Sequence, residues 1–220
     1  VKKIEHQSLS DQAYHAIRDG MQEGLFIPME PLVIRTLAAN YGISATPIRE
    51  ALQRLVAERL LTVLPNRSIV VPRMTQRRFR ELMPIRAALE GMAAELAVDK
   101  FTEDEIAQLS ELTARVEEVA KRHDSAGYLT LNREFHFTVY RRANNPELLL
   151  LINDLWLKVG PVFTGLFDDE HFKHHANDEH RNILAAIERR DAEAAGRFMR
   201  QDIDIAAKAL LPLMPLTEGA

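Results

Sequence analysis

Four polar side chains sit where helical periodicity demands apolar ones. Tyr128, Leu131, Phe135 and Val139 recur at helical spacing, with Asn132 and His136 alongside them four residues apart, so that these two side chains converge. His180 falls in register with Ile183, Leu184 and Ile187, and Asp202 falls among Ala195, Phe198, Met199, Ile205, Ala206 and Ala209. A fifth polar residue, Arg86, shares a stripe with Leu82, Ile85, Leu89, Ala93 and Leu96, which is expected to face inward. A charge or imidazole turned into a core without a partner is costly. A divalent cation shared by Asn132, His136, His180 and Asp202 satisfies all four at once. Two imidazoles, one carboxylate and one amide oxygen suit zinc, nickel, manganese or iron, and a chain with Cys 0 offers no competing thiolate. A direct hydrogen bond between His136 and Asp202 is the plainer alternative, and both stay open on these residues. Arg86 suits the carboxylate of a small organic acid or an ion pair with a neighbouring Glu. A two-His, one-carboxylate set also serves metal-dependent enzymes, but no further positioned base and no HisGluXaaXaaHis motif accompanies it here, so catalysis is not expected.

A second set is suited to nucleic acid. Ser44, Ala45, Thr46 and Arg49 open a helical segment whose apolar face is Ile48, Leu52, Leu55 and Val56. A recognition helix has this layout, because its first turn enters the major groove while its other face packs on the domain. Arg49 can address a guanine edge or a phosphate, and Ser44 and Thr46 with the helix N-terminal amides suit phosphate. Arg35 on the preceding helix can grip the backbone or a base, and Asn66 and Arg67 lie at a hairpin tip that would reach the minor groove or phosphates. The bland alternative makes Arg49 and Arg54 solvated cations paired with Glu50 and Glu58. The order of turn, Arg49 and Arg67 along the chain favours one DNA-facing surface over that alternative and over a helical module that binds another protein.

The elements that must hold these residues follow from breakers and periodicity. A helix is predicted over Leu9–Glu23, broken by Pro28 and Pro31. Another over Ile34–Tyr41 stops at Gly42, and a third is opened by Ser44 with Pro47 in its first turn. Aliphatic runs at Leu61–Leu64 and Ile69–Val71 flank PNRS at 65–68 as a hairpin. Beyond Thr75, helices are predicted over 75–98, 102–123, 125–143, 146–166, 172–190 and 191–211. The fold is therefore mainly α, with a winged helix-turn-helix at 1–73, an all-helical bundle of about six helices at 74–212 and a tail at 213–220. His171, His174 and His175 read as an exposed helix start beside Lys173, and Trp156, Phe163 and Phe167 as core or dimer contacts. With 46% apolar and 27% charged residues the composition is that of a globular protein. No apolar run is long enough to span a bilayer and no signal-peptide layout follows Val1, so a cytoplasmic protein without membrane contact is expected. The net charge of -4 averages nine Lys/Arg against seven Asp/Glu through Arg73 with nineteen against twenty-five beyond it, so it does not argue against a polyanionic partner.

The segment LAANYGISATPIREALQRL at 37–55 resembles the recognition unit of GntR-type regulators, and PNRS at 65–68 resembles their wing. This resemblance spans residues 9–73 and departs from the family pattern at Ala45, where Arg is usual, and at Met29 and Ser68, where Gly is usual. Loss of an Arg at position 45 would remove about 1–3 kcal/mol of base readout. RAALE at 86–90, LNREFH at 131–136 and DEHRNILAAI at 178–187 are similar to the ligand-binding domain of the FadR-like branch, called FCD, over about 75–210. The resemblance implies an all-helical fold around a metal-centred effector cavity. Family members commonly place Asp at the position of Asn132 and His at that of Asp202, so the two types are exchanged here and the set has one imidazole fewer. What it implies overall is a ligand-responsive, homodimeric transcription regulator, usually a repressor, that binds a near-palindromic operator in double-stranded DNA and answers to a small organic acid.

Overall fold

In a computed structural model the described residues are 8–168 and 177–217, and they form two compact units. One takes in the described residues through Met74 together with Leu157–Pro161, the other Thr75–Trp156 and the described residues from Val162 onward. The readings made of His171, His174, His175 and the Phe167 side chain lie outside the described residues.

In the first unit, α1 (Leu9–Gln22) starts at Ser8, whose hydroxyl accepts the Asp11 amide at 3.1 Å, a cap worth about 1 kcal/mol. Helix α2 (Ile34–Tyr41) stops where Gly42 takes φ 66°, which returns the Gly42 and Ile43 amides to the carbonyls of Ala39 and Ala38. Helix α3 (Ala45–Ala57) follows at once, with Pro47 in the first turn where no intrahelical N–H bond is lost. Strands β1 (Thr62–Val63) and β2 (Ile69–Val70) pair antiparallel, Thr62 with Val70 and Val63 with Ile69, and Pro31 bridges to Val70. They are shorter than the predicted hairpin because the chain already turns at Leu64, whose carbonyl accepts the Arg67 amide at 2.8 Å. Tyr14, Ile17, Met21, Leu37, Ile48, Leu52 and Leu55 form the core behind α3, so the stripe predicted for the recognition helix is the one that packs.

Apart from its connections the second unit is helical among its described residues: α4 (Gln76–Ala97), α5 (Glu103–Lys121), α6 (Ser125–Arg142), α7 (Pro146–Val159), whose last residues from Leu157 group with the first unit, α8 (Asp178–Glu188) and α9 (Ala192–Leu210). A capping box of Thr102 and Glu105 starts α5. The single helix predicted over 146–166 is broken: α7 ends at Val159 and Gly160–Asp168 is 3-10, since Pro161 has no N–H to continue the α-helical ladder.

Helix α4 packs most extensively on α9, and Gly91 and Gly196 make the crossing close. A Cβ on Gly91 would stand 3.1 Å from the Gly196 carbonyl oxygen and collide with Arg200, and one on Gly196 would meet Glu95. The inward face of α4 is correspondingly small, with Ala87, Ala93, Ala94 and Ala97 beside Phe79, Met83, Arg86 and Glu90. This corrects the predicted inward stripe. Ile85 and Leu96 are 51% and 39% exposed, Leu82 and Leu89 are half-buried, and of that stripe Ala93 and Arg86 are buried.

Candidate functional site

Three helices bring His136, His180 and Asp202 together. His136 comes from α6, His180 from α8 and Asp202 from α9. The His136 Nε2 atom lies 3.3 Å from His180 Nε2 and 3.3 Å from Asp202 Oδ2, while His180 Nε2 lies 3.8 Å from Asp202 Oδ1. One ligand atom from each falls within 4.8 Å of the others, so a single small cation can touch all three. Both imidazoles are buried, and the Asp202 side chain keeps 16% exposure. Asn132, one turn before His136, lines the same cavity with Arg86, Tyr128, Trp156, Phe163 and Asp202. That cavity has about 20 Å³ of accessible space, enough for one water-sized occupant and too little for an organic acid as well.

The electrostatics suit a cation at this point. Burial takes His180 down to about 4, against the opposing pull of Asp202, so the ring is neutral at physiological pH and has a lone pair to offer. Burial raises Asp202, but the hydrogen bond and charge of His136, with His180 and Arg86, outweigh it and hold the carboxyl below its ordinary value. His180 Nδ1 has no hydrogen-bond partner among the described residues. The Nε2 atoms of the two imidazoles and a carboxylate face one another, a donor set that fits a divalent ion of the zinc to manganese type.

Behind the cluster lies a buried polar shell. Arg86 forks onto Glu90, Nε to Oε1 at 2.7 Å and Nη2 to Oε2 at 3.2 Å, both side chains almost wholly enclosed. Removing either partner of such a pair costs about 3–5 kcal/mol, because the other charge is stranded. Trp156 Nε1 donates to Glu90 at 3.1 Å, the Tyr140 hydroxyl also donates to Glu90, and His136 Nδ1 stands 2.9 Å from the Tyr140 oxygen. Burial, then Glu90, raises the Tyr140 phenol well above its usual range, so it keeps its hydrogen. Arg86 lines the cavity, yet its Nε and one terminal nitrogen are committed to Glu90. The other, Nη1, has Met83 Sδ at 3.9 Å and is what remains for an incoming anion. Glu90, Tyr140 and Trp156 were not singled out from the sequence. Tyr and Trp count as apolar in a periodicity argument, and the usable signal was the i, i+4 spacing of Glu90 from Arg86 and of Tyr140 from His136.

In the first unit, Arg35, Ser44, Thr46, Arg49, Asn66 and Arg67 are exposed and Ala45 is half-buried as the first residue of α3. Arg35, Arg49 and Arg67 form no side-chain ion pair or hydrogen bond among the described residues. Arg54 does pair, with Glu58 at 3.1 Å and Asp11 at 3.4 Å, and lies 3.7 Å from the centre of the Tyr14 ring, so it braces α3 on α1. The Ser44 hydroxyl makes no capping bond. Asn66 Oδ1 accepts the Ser68 amide at 3.0 Å, shaping the turn that presents Arg67.

Residues 9–71 match the model of the bacterial regulatory proteins of the gntR family, and residues 81–204 match the FCD domain. Over 210 residues the chain is 32% identical to the HTH-type transcriptional regulator McbR of Escherichia coli (strain K12), covering 92% of this chain and 95% of that protein. It is 28% identical over 204 residues to the HTH-type transcriptional repressor GlaR of the same strain, covering 86% and 90%. Among solved structures, E. coli McbR/YncC matches with a TM-score of 0.82 at 31% identity, covering 92% of this chain and 99% of that one. A putative GntR regulator from Rhodococcus sp. RHA1 matches at 0.75 with 22% identity over 94% and 99%, a likeness of fold.

Proposed function

The chain belongs to the gntR family of bacterial regulatory proteins, carries an FCD domain and is a transcriptional regulator rather than an enzyme; from that premise we propose that it is a cytoplasmic, homodimeric repressor controlled by a metal-bound small carboxylate. The observation that carries the effector half is the convergence of His136, His180 and Asp202 at the edge of a cavity that His136, Asp202, Arg86 and Asn132 line. With its site filled by zinc, nickel, manganese or iron, held by those three residues and by Asn132, the domain would offer a Lewis-acid anchor for a carboxylate, and Arg86 Nη1 would take the same acid by a charge-assisted bond. The cavity holds one water-sized particle as it stands, so an acid binds only a conformation with wider walls. Binding therefore shifts the population of conformers, which is what a regulator needs.

The DNA half rests on three cations, Arg35, Arg49 and Arg67, that have no side-chain partner among the described residues. Arg49 at the start of α3 is the base reader, Ser44, Ala45 and Thr46 bring the helix N-terminus to phosphate, Arg35 grips the backbone, and Asn66 and Arg67 form the wing contact. Residues 1–73 make this module and 74–212 the effector and dimerisation module. Support for a second copy as partner lies on α4, where Leu82, Ile85, Leu89, Met92 and Leu96 follow the 3-4-3-4 spacing of a coiled-coil seam. Of these Ile85 and Met92 are each about half exposed. Two-fold protein symmetry then requires a near-palindromic operator. Relatives named as repressors, GlaR and RspR among them, favour repression.

The test is selection of duplexes from a random pool, followed by anisotropy titration of the enriched site. Specific affinity is expected to fall steeply with salt, and Arg49→Ala is expected to weaken it about tenfold or more with the helical content unchanged. Salt-independent binding, or an Arg49→Ala protein with wild-type affinity, contradicts the recognition-helix assignment. A thermal-shift screen of mono- and dicarboxylates with and without added zinc then reads the effector side, since a ligand of the folded state raises apparent stability.

A further inference from the structure

The cavity beside the cluster has two kinds of lining, and they suit the two ends of an amphipathic guest. Tyr128, Asn132 and His136 line it from successive i, i+4 positions of α6, and Asp202 of α9 adds to this polar part. Trp156 of α7, Phe163 and Leu166 of the 3-10 stretch, and Ile203 and Ala206 of α9 supply the apolar part. Among these five side chains the one hydrogen-bond donor is Trp156 Nε1, and it is spent on Glu90 at 3.1 Å. The Arg86 guanidinium carbon lies 4.8 Å from the centre of the Trp156 ring and 5.2 Å from that of Phe163, and the two rings meet edge to face at 5.4 Å. Glu90 holds Arg86 Nε and Nη2, so an acid that pairs with this guanidinium does so at Nη1, with its carbon body beside those rings. The accessible space of about 20 Å³ must widen to take that body. Of the lining elements, the 3-10 stretch has the poorest backbone hydrogen-bond geometry, so Phe163 and Leu166 are the side chains that give way and then cover the guest.

We propose that the acid is a monocarboxylate with an apolar body, an aliphatic chain or a ring, and that Trp156, Phe163, Leu166, Ile203 and Ala206 select it against dicarboxylates and polyhydroxy acids. This rests on the effector reading above and narrows it. One carboxylate can share the metal and Arg86 Nη1. A second carboxylate, or a row of hydroxyls, meets a lining with no side-chain donor to spare among the described residues and gives up its water without a replacement. An apolar body gains by the same transfer, about fourfold in affinity for each methylene buried.

The test uses the full chain, dialysed with zinc and freed of excess metal, and titrates it with acids of matched length: hexanoate, adipate and gluconate, with butanoate as a shorter reference. Trp156 is the chain's single tryptophan, so its emission reports this cavity alone, and calorimetry gives the affinities. Zinc retained by the protein is measured after each titration, which separates binding from chelation by the acid. Hexanoate is expected to shift the Trp156 emission, to bind about tenfold or more tightly than butanoate and to bind about 100-fold or more tightly than adipate or gluconate. Adipate or gluconate bound as tightly as hexanoate overturns the proposal and leaves the effector reading standing, and so does equal affinity for butanoate and hexanoate. Failure of all four acids to bind overturns the effector reading and the proposal with it. Hexanoate bound equally with and without zinc upholds the selection and removes the metal from the anchor. Leu166→Lys, checked for fold by its helical content, puts an ammonium into the apolar lining and is expected to bring adipate within about tenfold of hexanoate. A folded Leu166→Lys protein with the wild-type preference contradicts selection by that wall.

Discussion

At Met29 and Arg67 the backbone sits in the left-handed region, at φ 71° and φ 66°. A side chain with a Cβ is strained there by about 1 kcal/mol or more. Met29→Gly is expected to raise stability by about 1 kcal/mol with DNA affinity unchanged, whereas Arg67→Gly is expected to raise stability similarly and to weaken DNA binding. Urea unfolding midpoints and operator titrations check both, and an Arg67→Gly protein that keeps full affinity removes Arg67 from the interface. The glycine that the family resemblance expects at Met29 thus has a backbone reason. Single residues were readable in the sequence when they broke a pattern, as His136, His180 and Asp202 broke apolar stripes. Glu90 and Tyr140 broke none, since one was a charge among many on α4 and the other passed as an apolar ring on α6.

Helix α4 was the element least legible beforehand, because it has two apolar faces and periodicity cannot say which is inward. Large side chains suggested the Leu82–Leu96 stripe, but the close crossing at Gly91 and Gly196 admits only small ones, so the alanine-rich face turns in and carries Arg86 and Glu90 with it. Gly91→Leu is expected to destabilise the chain by about 1–3 kcal/mol through overpacking. It is also expected to lower zinc affinity, since α4 carries the shell behind His136 and α9 carries Asp202. A variant with the wild-type unfolding midpoint contradicts the close crossing. Other elements read well because their signals were local, notably Gly42 ending α2, Pro47 in the first turn of α3 and the Asn132–His136 spacing on α6. The break after α7 was missed because Trp156 and Phe163 kept the helical period across Gly160 and Pro161.

For the whole molecule the opposite charge of its two parts makes sense, a slightly basic module for DNA joined to an acidic helical one. In the proposed dimer the exposed α4 seam would tie dimerisation to DNA binding: Ile85→Glu with Met92→Glu is expected to leave each chain folded, to give monomers by analytical ultracentrifugation, and to weaken operator binding about 100-fold or more by loss of the second half-site. A stable dimer from that double variant places the interface elsewhere. The central claim, a regulator whose helical domain is built around a metal held by His136, His180 and Asp202, is met most directly by elemental analysis of tag-free protein dialysed against an equimolar mixture of zinc, nickel, manganese and iron(II). About one divalent ion per chain is expected in the wild type and almost none in His136→Ala and His180→Ala. A wild type that retains no ion, with both variants as stable as it is, would leave a hydrogen-bonded pair of core histidines in place of a metal centre.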